Sequence, residues 1–150
     1  MTAVAIPPGG DADEIMDRLV GAGGRRTASR RVIVEVIVGA AEHLTAEEIA
    51  ARAQARSPAV TLSTVYRTLA TLEDIGALDH THLGHGRAVY HLADEGHQHL
   101  YCERCDRVLE LPPDKVDDFA FMLDRDFGFA MDRRHFAIGG ICEACRSRLT

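Results

Sequence analysis

Residues 44–78 read LTAEEIAARAQARSPAVTLSTVYRTLATLEDIGAL. Thr45 and Glu48 stand at capping-box spacing, where a threonine hydroxyl and a glutamate three residues on satisfy each other's backbone N–H groups at a helix start. Ile49 and Ala50 open an apolar face behind that cap. Pro58 marks a turn, Thr61 and Ser63 are candidate caps, and Val65, Leu69, Leu72 and Ile75 recur at helical period until Gly76 ends the run. Two short helices joined by a tight turn make a helix-turn-helix, whose second helix can lie in a DNA major groove.

The flanking sequence extends this unit. Downstream, ALDHTHL, GHG and RAVYHL (residues 77–83, 84–86 and 87–92) read as strand, turn and strand, a hairpin of the kind that serves as a wing. Upstream, DADEIMDRLVGAGG places Ile15, Met16, Leu19 and Val20 at helical spacing, with acids in the first turn and glycines at the end. Thr27 is expected to cap a further helix through ASRRVIVEVIVGAA, with Val32 and Val36 toward a core. Residues 1–10, apolar and rich in Pro and Gly without periodicity, are expected to form a disordered lead-in.

Beyond the wing the chain changes character. HQHLYCERC (residues 97–105) reads as a strand running into a CxxC knuckle. PDKVDDFAFMLDRDFG is an acidic amphipathic helix with Val116, Phe119, Met122 and Leu123 on one side, and FAMDRRHFAIGGI is a strand leading to a second CxxC. The expected fold is α+β: a winged helix-turn-helix domain over residues 11–92, a hinge at 93–96, and a small α/β dimerisation domain over 97–150. A domain of about fifty residues is below the size at which a core alone usually suffices, so metal or dimerisation should support it.

Alternation along a strand sends His97, His99 and Tyr101 to one face and Gln98, Leu100 and Cys102 to the other. The histidines and cysteines therefore belong to different sites. Cys102, Cys105, Cys142 and Cys145 are the chain's only cysteines. Two CxxC pairs without a βαβ context point to a closed, tetrahedral structural zinc site rather than a redox dithiol. On the nitrogen side, His97 and His99 can share one ion, with His91 joining from just upstream and His43 from the DNA-binding half, so that metal would tie the halves together. His80 and His82 form another same-face pair, with His135 as a long-range partner. His85, in the GHG turn, is assigned no metal role.

The net charge of −6 argues against a broad polycationic nucleic-acid binder. Residues 1–83 carry eight arginines against eleven acids, and five of the eight lie between Arg18 and Arg31, which implies a focused phosphate-binding patch. Arg67 and Tyr66 are the candidates for groove contacts, and Arg25, Arg26 and Arg30 for phosphates. A nucleophile with a positioned base, a Gly-rich phosphate loop and an HExxH motif are all missing from the sequence, which speaks against an enzyme and a small-molecule substrate. The start of the chain has no secretory pattern and no apolar run has membrane-spanning length, so a cytoplasmic protein is expected. A zinc-stabilised interaction module or a histidine-metal enzyme are the competing classes; the first would be indifferent on DNA to loss of Arg67, the second would turn over substrate independently of the helix-turn-helix.

The order helix-turn-helix, wing, HxH, CxxC, CxxC resembles the ferric uptake regulator (Fur) family from about Asp13 to Cys145. STVYRTLATLEDIGAL looks like its recognition helix and HQHLYCERC like its metal-binding strand. The resemblance implies a homodimeric, metal-responsive repressor of operator DNA. Residues matching Tyr66 and Arg67 would meet DNA, and a basic residue matching Arg30 would sit near the backbone, although RRTASRR has Ala28 and Ser29 where the family commonly has Pro and Gln; Ser63 and Thr64, at the start of the same helix, are further DNA-binding candidates. HTHLGHGRAVYHL and DRRHFAIGGICEAC look most like the nickel-uptake-regulator branch. That branch implies nickel at His80, His82 and His135 and a second regulatory site at His43, His97 and His99, its fourth position filled by Glu95 or by His91. Iron and peroxide sensors instead direct attention to His91 and Glu110. The expected regulatory ion is nickel, with iron(II) or zinc as alternatives.

Overall fold

The computed structural model describes residues 11–84, 86–93, 98–133 and 136–148. Residues 1–10, His85, most of the expected hinge with Glu95, His97 and His135 lie outside them. The chain divides into two compact units, one of Met1–His80 with Ala88–Asp94 and one of Thr81–Arg87 with Glu95–Thr150.

The first unit is built on four helices, α1 (Ala12–Gly21), α2 (Ala28–Val38), α3 (Ala46–Arg56) and α4 (Leu62–Asp74). Each begins on a side-chain cap. Asp11 accepts from the Glu14 N–H, Thr27 from Arg30, Thr45 from Glu48 and Thr61 from Thr64. At α3 the capping box is complete, because Glu48 also reaches back to the Thr45 N–H at 2.8 Å. Thr61, and not Ser63, is the cap of α4. Gly76, at φ +67°, ends α4, and the Ala77 N–H returns to the Leu72 carbonyl. A residue with a Cβ would be strained in that left-handed turn.

The core of this unit joins Ile15, Met16 and Leu19 of α1 to Ile33, Val34 and Ile37 of α2, Ile49 and Ala53 of α3, and Val65, Leu69 and Leu72 of α4. Two expectations shift in detail. Val20 is 41% exposed, because the inward stripe of α1 is filled by Ile15, Met16 and Leu19. On α2 the inward face centres on Ile33 and Val34, with Val36 at its margin and Val32 partly buried. A three-stranded sheet has the order β1-β3-β2, with β1 at Leu44–Thr45, β2 at Leu78–Leu83 and β3 at Arg87–Leu92, and its Leu44 and Leu78 join the same core. The two-residue β1 pairs antiparallel with β3, Leu44 opposite Tyr90 and Thr45 opposite Val89. Replacing Thr45 with alanine is expected to destabilise this unit by about 1 kcal/mol through loss of the cap, read as a lower denaturant midpoint with an unchanged slope.

The second unit holds β4 (Gln98–Cys102), β5 (Val108–Leu111), α5 (Pro113–Phe127), β6 (Ala137–Gly140) and the short α6 (Glu143–Arg146). Its sheet has the order β5-β4-β6, with β5 antiparallel and β6 parallel to β4. α5 starts on Pro113 and ends on Gly128 at φ +61°, where the Phe129 N–H bonds back to the Leu123 carbonyl. It buries Val116 and Ala120, while Phe119 is 42% exposed and Met122 and Leu123 are half-buried. The inward row of α5 is thus the i, i+4 pair of small side chains, and the phenylalanines face outward.

Candidate metal centres and nucleic-acid interface

The two CxxC segments meet in the second unit. The Sγ atoms of Cys102, Cys105, Cys142 and Cys145 all lie within 4.8 Å of one another, a four-cysteine metal-binding cluster. Local backbone geometry builds it. Asp106, at φ +58°, turns the first knuckle back so that its N–H bonds to the Cys102 carbonyl, and the N–H groups of Cys145 and Arg146 bond to the Cys142 carbonyl in the second. The parallel pairing of β4 with β6 sets Cys102 beside Gly140, two residues before Cys142. The Cys142 N–H donates to Cys102 Sγ at 3.3 Å. Backbone N–H groups of Cys142, Arg104 and Cys105 hold the Cys102 thiol down to about 6 against the burial that opposes them, whereas the neighbouring sulfurs of Cys105 and Cys142 push Cys145 up to about 12. Four sulfurs this close do not all ionise without a cation between them, so metal uptake must release protons. A closed set of thiolates suits zinc in a structural role.

In the first unit, the register of β1 against β3 explains a contact between histidines. Leu44 opposes Tyr90, which brings their chain neighbours His43 and His91 to the same end of the pair. Their rings meet edge to face with centroids 4.7 Å apart, and His91 Nδ1 bonds to the Leu92 carbonyl at 2.9 Å. A ring nitrogen held this way leaves the other for an ion. In the second unit, His99 is 1% exposed and sits directly across the ladder from Glu110, so that both side chains leave the same face of the sheet. His80 Nδ1 pairs with Glu73 in the last turn of α4. His82 lines a cavity of about 230 Å³ in the second unit with Gly84, Tyr101 and Glu103. Sequence reasoning passed over Glu73, for which a carboxylate seven residues before a histidine gives no periodic signal.

The exposed face of the helix-turn-helix presents Tyr66, 45% exposed, and Arg67 beside it on α4. The Tyr66 hydroxyl donates to Glu47 Oε1 on α3 at 3.0 Å, and that hydrogen bond holds the phenol above its ordinary pKa. Ser63 is exposed, whereas the Thr64 hydroxyl is engaged with Thr61 at 2.9 Å. The arginines differ in how far they are committed. Arg26 pairs with Asp17, Arg31 with Asp13 and Glu35, Arg52 with Glu42, and Arg56 with Glu35. Arg25, Arg30 and Arg67 have no carboxylate partner among the described residues; Arg30 instead donates to the Arg25 carbonyl at 3.1 Å. Of the phosphate candidates, Arg25 and Arg30 are therefore available as they stand, and Arg26 must first leave Asp17.

Comparison with known proteins agrees with this architecture. Residues 21–138 match the Ferric uptake regulator family. The Ferric uptake regulation protein of Bacillus subtilis is 32% identical over 143 residues, covering 92% of this chain and 96% of its own length. The Peroxide-responsive repressor PerR of Staphylococcus epidermidis is 24% identical and covers 91% of each chain. Among solved structures, the Vibrio cholerae ferric uptake regulator superposes with a TM-score of 0.68 at 26% identity, over 84% of this chain and 98% of that one. The Helicobacter pylori Fur structure reaches a TM-score of 0.78 over 94% of this chain and 97% of that one, at 20% identity a likeness of fold. These relatives support the family and its iron and peroxide regulators without singling out the nickel branch. No helix among the described residues is long and apolar enough to cross a membrane. The chain belongs to the ferric uptake regulator family: it is a metal-responsive transcriptional repressor with a DNA-binding helix-turn-helix region, and not an enzyme.

Proposed function

We propose that the chain acts in the cytoplasm as a homodimeric repressor that binds double-stranded operator DNA when a regulatory divalent ion is held by His43, His91, His97, His99 and Glu110, with zinc in the four-cysteine cluster. The observation that carries the reading is the edge-to-face contact of His43 with His91 beside the β1–β3 pairing. The place of His99 opposite Glu110 on the β4 and β5 ladder supports those two ligands, while His97 enters from the sequence pattern alone. These ligands come from both units, so an ion taking all of them restrains one unit against the other. Two recognition helices are then offered to DNA at fixed spacing. A coupling of about 1–3 kcal/mol changes affinity by about 5- to 150-fold.

Iron(II) is the favoured regulatory ion. The mixed imidazole and carboxylate set accommodates it, and the 32% identity to a ferric uptake regulation protein supports it. Nickel at His80, His82 and His135 is the second reading, favoured by one observation: Glu73 engages His80 Nδ1, the arrangement that orients a metal-binding imidazole through its other nitrogen. Homodimerisation is supported by the apolar side chains that the second unit exposes, among them Leu109, Phe121, Phe127, Phe129, Ile138 and Ile141.

Arg67→Ala tests the DNA-binding face. Metal-loaded variant protein is expected to lose about 1–3 kcal/mol of affinity for a duplex selected by the wild type from a random library. Equal binding by variant and wild type in a gel-shift titration at fixed salt would exclude α4 as the reading helix.

A further inference from the structure

At the start of α3 it is Glu48 that completes the capping box with Thr45, not Glu47. The Glu47 carboxylate accepts from Tyr66, 19 residues away on the next helix, at 3.0 Å, and both side chains are exposed on the outer face of the helix-turn-helix. Glu47 stands in the first turn of α3, where the helix dipole favours an anion. We infer that Glu47 is a specificity-determining positioning residue, which fixes the Tyr66 hydroxyl as a hydrogen-bond acceptor toward the bases. The inference rests on α4 being the helix that enters the groove, as proposed above.

A phenol carries one proton. With that proton committed to a carboxylate, the oxygen presents only lone pairs outward. Donor groups on base edges in the major groove are the exocyclic amines, N6 of adenine and N4 of cytosine; guanine and thymine offer O6, N7 and O4 acceptors. Tyr66 held by Glu47 therefore accepts from an adenine or cytosine amine and disfavours guanine or thymine at the same position. An unheld tyrosine rotates its proton either way and discriminates less. Glu47 adds a second effect, since a carboxylate on this face opposes close approach to phosphates, and phosphate contacts dominate non-specific affinity. Tyr66 stays the group that touches DNA, and Glu47 acts through it.

The test is sequence selection. Metal-loaded, full-length wild type, Glu47→Ala, Glu47→Gln, Tyr66→Phe and the Glu47→Ala/Tyr66→Phe double variant are each equilibrated with a random duplex library, and bound sequences are compared after thermal unfolding has verified the fold of each. The wild type is expected to favour an amine-bearing base at one position by about fivefold or more, within the range of a good base contact. Glu47→Ala and Tyr66→Phe should both lose that preference, and the double variant should lose no more than Tyr66→Phe alone. Glu47→Gln should retain part of it, because the amide oxygen still accepts from the phenol. Unchanged base preference in Glu47→Ala, or a further loss when Glu47→Ala is added to Tyr66→Phe, would overturn the inference. If Arg67→Ala weakens binding while Glu47→Ala leaves the selected sequences unaltered, the inference alone fails. If Arg67→Ala and Tyr66→Phe both leave binding untouched, the reading of α4 fails with it.

Discussion

Cys102→Ser is expected to release the cluster ion and cost the second unit its fold. Among the described residues, the buried apolar side chains of that unit are Cys102, Val116, Ala120 and Cys145. Two of these are cluster ligands, so removing the ion leaves almost no core to hold the sheet. Apparent binding energies of about 10–16 kcal/mol for structural zinc in small domains exceed the few kcal/mol that so small a core supplies. Cys102 is the most informative ligand to remove, because its sulfur receives the Cys142 N–H and so links the two knuckles directly. Zinc content should fall from one ion per chain to near zero, with loss of amide-exchange protection in β4, β5 and β6 while α2, α3 and α4 keep theirs. Lower pH should act in the same direction. The folded chain favours the Cys102 thiolate, with its thiol held down to about 6, so acidification through that range protonates the ligand and opposes metal binding. A variant that keeps its second unit protected without the ion would show that the cluster is dispensable for folding.

His99→Ala, in contrast, should leave the cluster ion and the fold in place and remove the metal-dependent gain in DNA affinity, a loss of about 5- to 150-fold. His99 is 1% exposed and cross-strand from Glu110. Both side chains leave the same face of the sheet, so one ion there could take the imidazole and the carboxylate together. The comparison with His82→Ala is what makes the result specific. If the regulatory ion is held by His43, His91, His97, His99 and Glu110, the His82 variant should respond to metal as the wild type does. If the ion sits with His80, His82 and His135, the pattern reverses: His82→Ala abolishes the response and His99→Ala preserves it. Operator titrations at fixed free-metal level and fixed salt separate the two.

The helix-turn-helix was legible because its signals are local. Thr45 with Glu48, and the Val65, Leu69, Leu72 series before Gly76, lie within single helical turns of their partners, and the structure carries each in place. The cysteine cluster was legible for the same reason, since CxxC spacing specifies a knuckle before any tertiary contact forms. The strand pairing behind the histidine contact was not, although the sequence names His43 and His91 for one site. β1 is two residues long, too short to show an alternating pattern, yet its pairing with β3 is what brings His43 to His91. β5 escaped notice because VLEL is only four residues long and does not alternate apolar with polar. Phe119 shares the apolar side of α5 with Val116 in the sequence and is 42% exposed, because apolar periodicity marks a face without saying what covers it. Glu47 and Glu73 look like ordinary helix acids in the sequence, and only packing reveals that they hold Tyr66 and His80.

The measurement closest to the central claim is DNA binding by protein stripped of its regulatory ion but loaded at the four-cysteine cluster, with iron(II) under anaerobic conditions, nickel, zinc and manganese added separately at matched free levels. The account predicts weak binding to a selected duplex without added metal and a gain of about 5- to 150-fold with iron(II), lost in both His43→Ala and His99→Ala. Equal affinity with and without every one of these ions, in protein whose cluster is full, would contradict it.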